Sequence, residues 1–271
     1  MDLYWKAALQ GIVQGVTEFL PVSSTGHLIL VGKFMDFGGG SFTNLFNVVI
    51  QFASILAVVL YFHKTLIPAA MLKDAEIRMN TFRIWLKIIA GVMPILVIGF
   101  LSADLVEKMQ DSPLVVAIAL LIGGILLLKV EEWCRREKTV DNFQDLSYKT
   151  AVGIGLIQCL AMIPGTSRSA STIIGALALG ASRPLAAEFS FLLAIPTMAA
   201  ASGYSLLKHG SEITTQQAIA LSIGFVFSFL VSWGVIAWLM NFIRTRDFKV
   251  FGWYRIALGI VVLGYIFFLH Q

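Results

Sequence analysis

Of the 271 residues, 58% are hydrophobic and only 13% are charged, with a mean hydropathy of +0.83. That balance lies far outside the range of soluble domains, so a soluble enzyme or binding module is excluded and a polytopic membrane protein is indicated. The net charge of +4 does not argue for nucleic acid, because the basic residues gather in loops beside apolar spans, where membrane topology accounts for them.

The N-terminal MDLYWKAALQ has no basic cluster ahead of an apolar core and no small-residue cleavage site. No cleavable signal peptide is therefore expected, and insertion relies on the transmembrane segments. The first apolar helical pattern, 7–20, stops at Pro21 after roughly 20 Å, too short for a hydrocarbon layer of about 30 Å. Three stretches long enough to cross follow at 44–62, 82–103 and 113–130. A second short pattern, 151–163, stops at Pro164, and three more long stretches follow at 185–207, 216–240 and 250–270. The short patterns predict half-helices of re-entrant hairpins at about 7–35 and 151–180. Irregular backbone at membrane depth must be buried in protein or line a wet cavity, so both hairpins should face the interior.

The two halves repeat. GIVQGVTEFLPVSSTGHLIL from Gly11 matches GLIQCLAMIPGTSRSASTII from Gly155 with a one-residue gap before the prolines, and Phe46 and Phe189 stay in register at an offset of 143. Beyond that point the match fades to apolar periodicity and shared glycines such as Gly91 and Gly224. Lysine and arginine concentrate in 63–87, 129–149 and 241–249, which should be cytoplasmic, with both termini outside. Each half then holds a hairpin and three crossings, an odd number, so the repeats are inverted. The expected fold is an all-α polytopic membrane protein of two inverted repeats, 1–130 and 151–271, joined by a cytoplasmic linker 131–150. Such a plan places a binding site near the midplane, where the repeats meet.

Polar residues inside apolar sequence are functional by default, because desolvating them costs several kcal/mol unless partners or a ligand are waiting. Gln14 and Glu18 share one face of the first half-helix. Glu18 suits a base, a metal ligand or an arginine partner, or else a water-exposed interfacial position. After Pro21 come Ser23, Ser24, Thr25, Gly26 and His27, where a restarting helix presents free N–H groups suited to an anion such as phosphate. Ser23 or Ser24 also serves as a helix cap. In the second turn Arg168 stands among Ser167, Ser169 and Thr172, and its fork of donors matches phosphate oxygens better than it suits an isolated lipid contact. Glu188 is placed to pair with Arg168 or Arg183 and reads as structural. Cys134 and Cys159 support neither a disulfide framework nor a metal cluster, and His27 alone of the histidines sits in a polar motif.

QGVTEFLPVSSTGH at Gln14–His27 resembles the (E/Q)xxxE and PxSSTGH region of the undecaprenyl pyrophosphate phosphatases, the bacterial bacitracin-resistance membrane enzymes. PGTSRSAST at Pro164–Thr172 resembles their PGxSRSxxT motif, and the likeness extends over essentially the whole chain. It implies removal of the terminal phosphate from undecaprenyl pyrophosphate, regenerating the lipid carrier for cell-wall precursors. Carried over by motif, Ser24 is the expected nucleophile, Glu18 an acid/base or metal-positioning group, His27 an acid/base or nucleophile-activating group, and Arg168 the phosphate clamp. Gln14, Ser23, Thr25, Gly26, Ser167, Ser169 and Thr172 are expected to bind substrate. The resemblance also implies a divalent cation, Mg or Ca, near Glu18, a bacterial cytoplasmic membrane location, and a site open to the periplasm. The expected partners are the polyprenyl pyrophosphate and the bilayer, without nucleic acid, and a homodimer is compatible with the sequence. Because broken helices in inverted repeats are also a transporter plan, a transporter or flippase for an anionic polyprenyl lipid is the alternative, and a non-catalytic scaffold leaves the intramembrane polar residues unexplained.

Overall fold

The structure, a computed structural model, describes residues 2–24, 26–27, 41–102, 106, 109, 112–134, 139–209 and 213–269, with the backbone alone at 41, 201, 204–209 and 268–269. Thr25, residues 28–35 of the expected first hairpin, and Arg135, Arg136 and Lys138 of the expected linker lie outside the described residues.

Helices dominate, and their ends fall where the chain supplies caps. Here α1 is Asp2–Thr17, α2 Ser41–Tyr61, α3 Ala75–Leu101, α4 Pro113–Trp133, α5 Tyr148–Gln158, α6 Arg168–Ala178, α7 Arg183–His209, α8 Thr215–Phe242 and α9 Lys249–Leu269. Asp74 caps α3 by accepting from the N–H groups of Glu76 and Ile77, Ser112 and Ser147 cap α4 and α5, and Thr214 with Gln217 forms a capping box on α8. Among the described residues no strands form, beyond one isolated bridge between Val140 and Ala181.

Five helices, α2, α3, α4, α8 and α9, are long and apolar enough to cross a membrane, which makes this a multi-pass membrane protein. The sixth expected crossing, 185–207, forms within α7 but is not one of those five. Its sequence carries Glu188, Ser190, Thr197 and Ser202, while Phe189, Phe191, Leu192, Leu193 and Ala194 are fully buried. A helix sheathed by other helices need not present a uniformly apolar surface to lipid.

The packing is reciprocal between the halves. The short helix α1 lies along α8, the short helix α5 lies along α3, and α4 pairs with α9. Glycines set the first two crossings: a Cβ on Gly11 would stand 2.5 Å from the Gly224 carbonyl oxygen, and one on Gly155 would collide with the carbonyl of Gly91. The shared glycines Gly91 and Gly224 are thus the seats on which the short helices rest. A hydroxyl cluster of Ser54, Ser228 and Ser232, with both Oγ to Oγ distances 2.9 Å, joins α2 to α8 in the buried interior. Toward the end where α4 finishes and α9 begins, Glu131 binds Arg183 and accepts from the Phe248 N–H, and Glu132 binds Lys249.

Candidate active site

The short helices α1 and α5 are followed by similar turns. After Thr17 the chain turns through Glu18–Val22 and restarts at Ser24; after Met162 it turns through Pro164–Thr166 and restarts at Arg168. The residue before each restart is a serine in the left-handed region, Ser23 at φ 73° and Ser167 at φ 70°. Each caps its helix identically, with Ser23 Oγ accepting from the Gly26 N–H and Ser167 Oγ from the Ala170 N–H, both at 3.3 Å. A non-glycine residue held there costs on the order of 1–3 kcal/mol, strain that marks functional turns. With Ser23 and Ser167 spent as caps, Ser24 and Arg168 become the first residues of the two restarting helices.

Those two residues meet on Glu18. Arg168 Nη2 donates to Glu18 Oε1 at 2.9 Å, while Gln14 Nε2 at 2.8 Å and the Ser24 hydroxyl at 3.4 Å donate to Oε2. The ion pair is almost enclosed, its side chains 12% and 8% exposed, so its mutual attraction must offset a substantial desolvation cost. Arg168 Nη1 donates to the Ser190 carbonyl, and the guanidinium lies 5.6 Å from the Phe19 ring centre. Among the described residues, the buried Arg168 Nε and Gln14 Oε1 have no hydrogen-bond partner, which leaves one donor and one acceptor free beside the carboxylate.

The remaining expected residues divide by task. Ser169 donates to the Leu20 carbonyl at 2.9 Å, stitching the second turn to the first, and the Thr172 hydroxyl is shared among Arg168 O, Ser169 O and Ser190. Gly26 is buried against Leu120 and Leu258. His27 is turned away from Ser24: its Nδ1 lies 2.8 Å from the Ser23 carbonyl and its Nε2 2.6 Å from the Tyr254 hydroxyl. A carbonyl can only accept, so Nδ1 carries the proton and Nε2 accepts from Tyr254. Glu188 pairs with neither arginine. It accepts from Thr65, because Arg168 is taken by Glu18 and Arg183 by Glu131.

Arg255 was not anticipated. Fully buried on α9, it donates to the carbonyls of Pro21 at 3.4 Å, Gly165 at 3.1 Å and Ala119 at 3.0 Å, joining both turns to α4. Its guanidinium fills the space over Gly123, where any Cβ would strike it. The signal was present as an arginine inside an apolar span, the kind of residue that faces a bundle interior with a task.

As metal donors, the chain offers the Glu18 carboxylate and the free Gln14 amide oxygen. Among the described residues, no three His, Cys, Asp or Glu side chains converge. That set is too small for a protein-built cage but fits a hard cation held by one carboxylate together with substrate phosphates.

A family model for bacitracin resistance protein BacA matches residues 7–261. The chain is 52% identical over 266 residues to undecaprenyl-diphosphatase 1 of Clostridioides difficile (strain 630), covering 98% of this chain and 97% of that protein. It is 48% identical to an undecaprenyl-diphosphatase of Fusobacterium nucleatum, covering 93% and 96%, and 44% identical to one of Lactiplantibacillus plantarum over the whole of both chains. With so much of each chain aligned, the protein belongs to the BacA bacitracin-resistance family.

Proposed function

We propose that the protein is a membrane phosphatase converting undecaprenyl pyrophosphate to undecaprenyl phosphate and inorganic phosphate, an activity that recycles the cell-wall lipid carrier and gives bacitracin resistance. The observation that carries this reading is the meeting of a hydroxyl and a guanidinium, from two different turns, on one buried carboxylate. The names of the relatives agree with it.

An incoming pyrophosphate competes with Glu18 for Arg168, whose planar fork suits two phosphate oxygens. That competition releases the Glu18 carboxylate from its ion pair. Ser24 Oγ then bonds to the terminal phosphorus as its proton passes to Glu18; the bridging P–O bond breaks, and its electron pair leaves with the lipid monophosphate, which takes that proton from Glu18 and returns it to the carboxylate form. Water, activated by Glu18, attacks the phosphoserine, and inorganic phosphate departs as Ser24 regains its proton. Arg168, the free N–H groups of the restarting helices and the fixed turns stabilise the charge that develops on phosphorus oxygens. A divalent cation would be held by Glu18, Gln14 Oε1 and the pyrophosphate, and would supply further charge neutralisation.

The reciprocal packing of α1 on α8 and α5 on α3 supports two inverted repeats with re-entrant hairpins, and the basic loops support a site opening to the periplasm of a bacterial cytoplasmic membrane. Purified full-length protein should release phosphate from a C55 or shorter polyprenyl pyrophosphate without any ion gradient, and chelator should suppress that release. Gradient-dependent lipid movement without phosphate release would replace the phosphatase with a transporter.

A further inference from the structure

Two apolar grooves flank the turns. One lies between α1 and α9, the other between α4 and the α5–α6 hairpin, at about 360 Å³ and 340 Å³. They differ at their inner ends. The α4 groove ends at Thr166 and Ser171, and the Ser171 hydroxyl is spent on the Ser167 carbonyl at 3.0 Å. The α1–α9 groove ends at His27 and Tyr254, three residues from Ser24 on the same restarting segment. Its rim is open, with Val16 36% and Val250 53% exposed.

We propose that the α1–α9 groove holds the first isoprene units of the substrate chain, and that the Tyr254 hydroxyl holds the phosphate that stays on the lipid. This rests on the phosphatase reading and assigns the half of the substrate that Glu18, Ser24 and Arg168 do not touch. A dry cavity of ~150 Å³ accommodates benzene, so this groove has room for roughly two isoprene units, with the rest of the chain in lipid. The polar pair at its end suits the junction between chain and pyrophosphate. Tyr254 donates to His27 in the absence of substrate, and the same O–H can be redirected to a phosphate oxygen without a change of rotamer. The shared residue His27 makes the groove continuous with the Ser24 turn, whereas the α4 groove offers no such junction.

The test compares farnesyl pyrophosphate with isopentenyl pyrophosphate, reading the ratio of their kcat/KM values on purified full-length protein. Wild type should prefer the longer chain. Val16→Trp and Val250→Trp fill the groove from opposite walls and should each lower that ratio about tenfold or more, chiefly through KM for farnesyl pyrophosphate, since lost burial of only two methylene groups already amounts to about tenfold. The ratio is unaffected by a misfolded fraction, and position 250 is open enough to accept an indole. Ile118→Trp in the α4 groove should leave the ratio as in wild type. Tyr254→Phe should keep the ratio but lower kcat/KM for both substrates about tenfold. An unchanged ratio in both tryptophan variants, or an equal fall for Ile118→Trp, would overturn the groove assignment; wild-type rates in Tyr254→Phe would overturn the anchoring role. If wild type released phosphate from neither compound, the phosphatase reading itself would fail.

Discussion

The two turns are built alike and charged differently. Each follows a short helix, places a serine near φ 70° as a cap, and restarts a helix one residue later. At that first helical position one turn carries Ser24 and the other Arg168, and where the first has Glu18 the second has the apolar Met162. The two turns share a cap and a restart, and they differ in the residues that carry the charge. Two identical turns would bring two arginines or two carboxylates together, and like charges in a buried site repel. One copy of each gives an acid–base pair that a polyanion can open.

The largest expected effect breaks the asymmetry on the first turn. Ser24→Ala should lower phosphate release by on the order of 10³-fold or more while pyrophosphate binding stays measurable, and phosphate trapped on the wild-type protein should map to Ser24 by mass spectrometry. Phosphate found on His27 instead would transfer the attack to the imidazole. Arg168→Lys keeps the charge but loses the fork, so turnover should fall about 10²-fold with the fold intact. A lysine variant with near-wild-type activity would reduce Arg168 to a structural contact.

Other changes probe what the turns share. Gly11→Ala and Gly155→Ala push a methyl group into a facing backbone in each half, and each should cost about 1–3 kcal/mol, read as a lowered midpoint of thermal unfolding in detergent. A large effect at only one of them would show that the halves do not share a packing plan. The smallest expected effects are those of Ser23→Ala and Ser167→Ala, each losing a cap worth about 1 kcal/mol with turnover reduced far less than in Ser24→Ala. If Ser23→Ala matched Ser24→Ala in kinetics, the division between cap and nucleophile would be wrong.

The parts of this arrangement legible in the sequence were those with local causes. Pro21 and Pro164 announce helix breaks because proline lacks the N–H a helix needs, and Ser23 was readable as a cap. Glu18, Ser24 and Arg168 were visible as polar residues in apolar surroundings, although the meeting of residues 18 and 168 depends on how the halves pack. Tyr254 carries no local signal, since its partner His27 is 227 positions away. Arg255 did carry one, but α9 reads as an ordinary crossing until its carbonyl partners are seen. The 185–207 stretch was legible as a long helix, but the burial of Phe189, Phe191, Leu192 and Leu193 within it depends on neighbours that the sequence does not show.

Arg255 also bears on how the protein is made. Synthesis delivers the first turn early and the second midway, yet the guanidinium that ties Pro21 to Gly165 arrives with the last described helix. Every nascent intermediate that already holds both turns therefore lacks the guanidinium that joins them to α4. A ribosome stalled before α9 leaves in the membrane a chain whose turns still meet through Glu18–Arg168 and Ser169–Leu20 but are not yet anchored to α4.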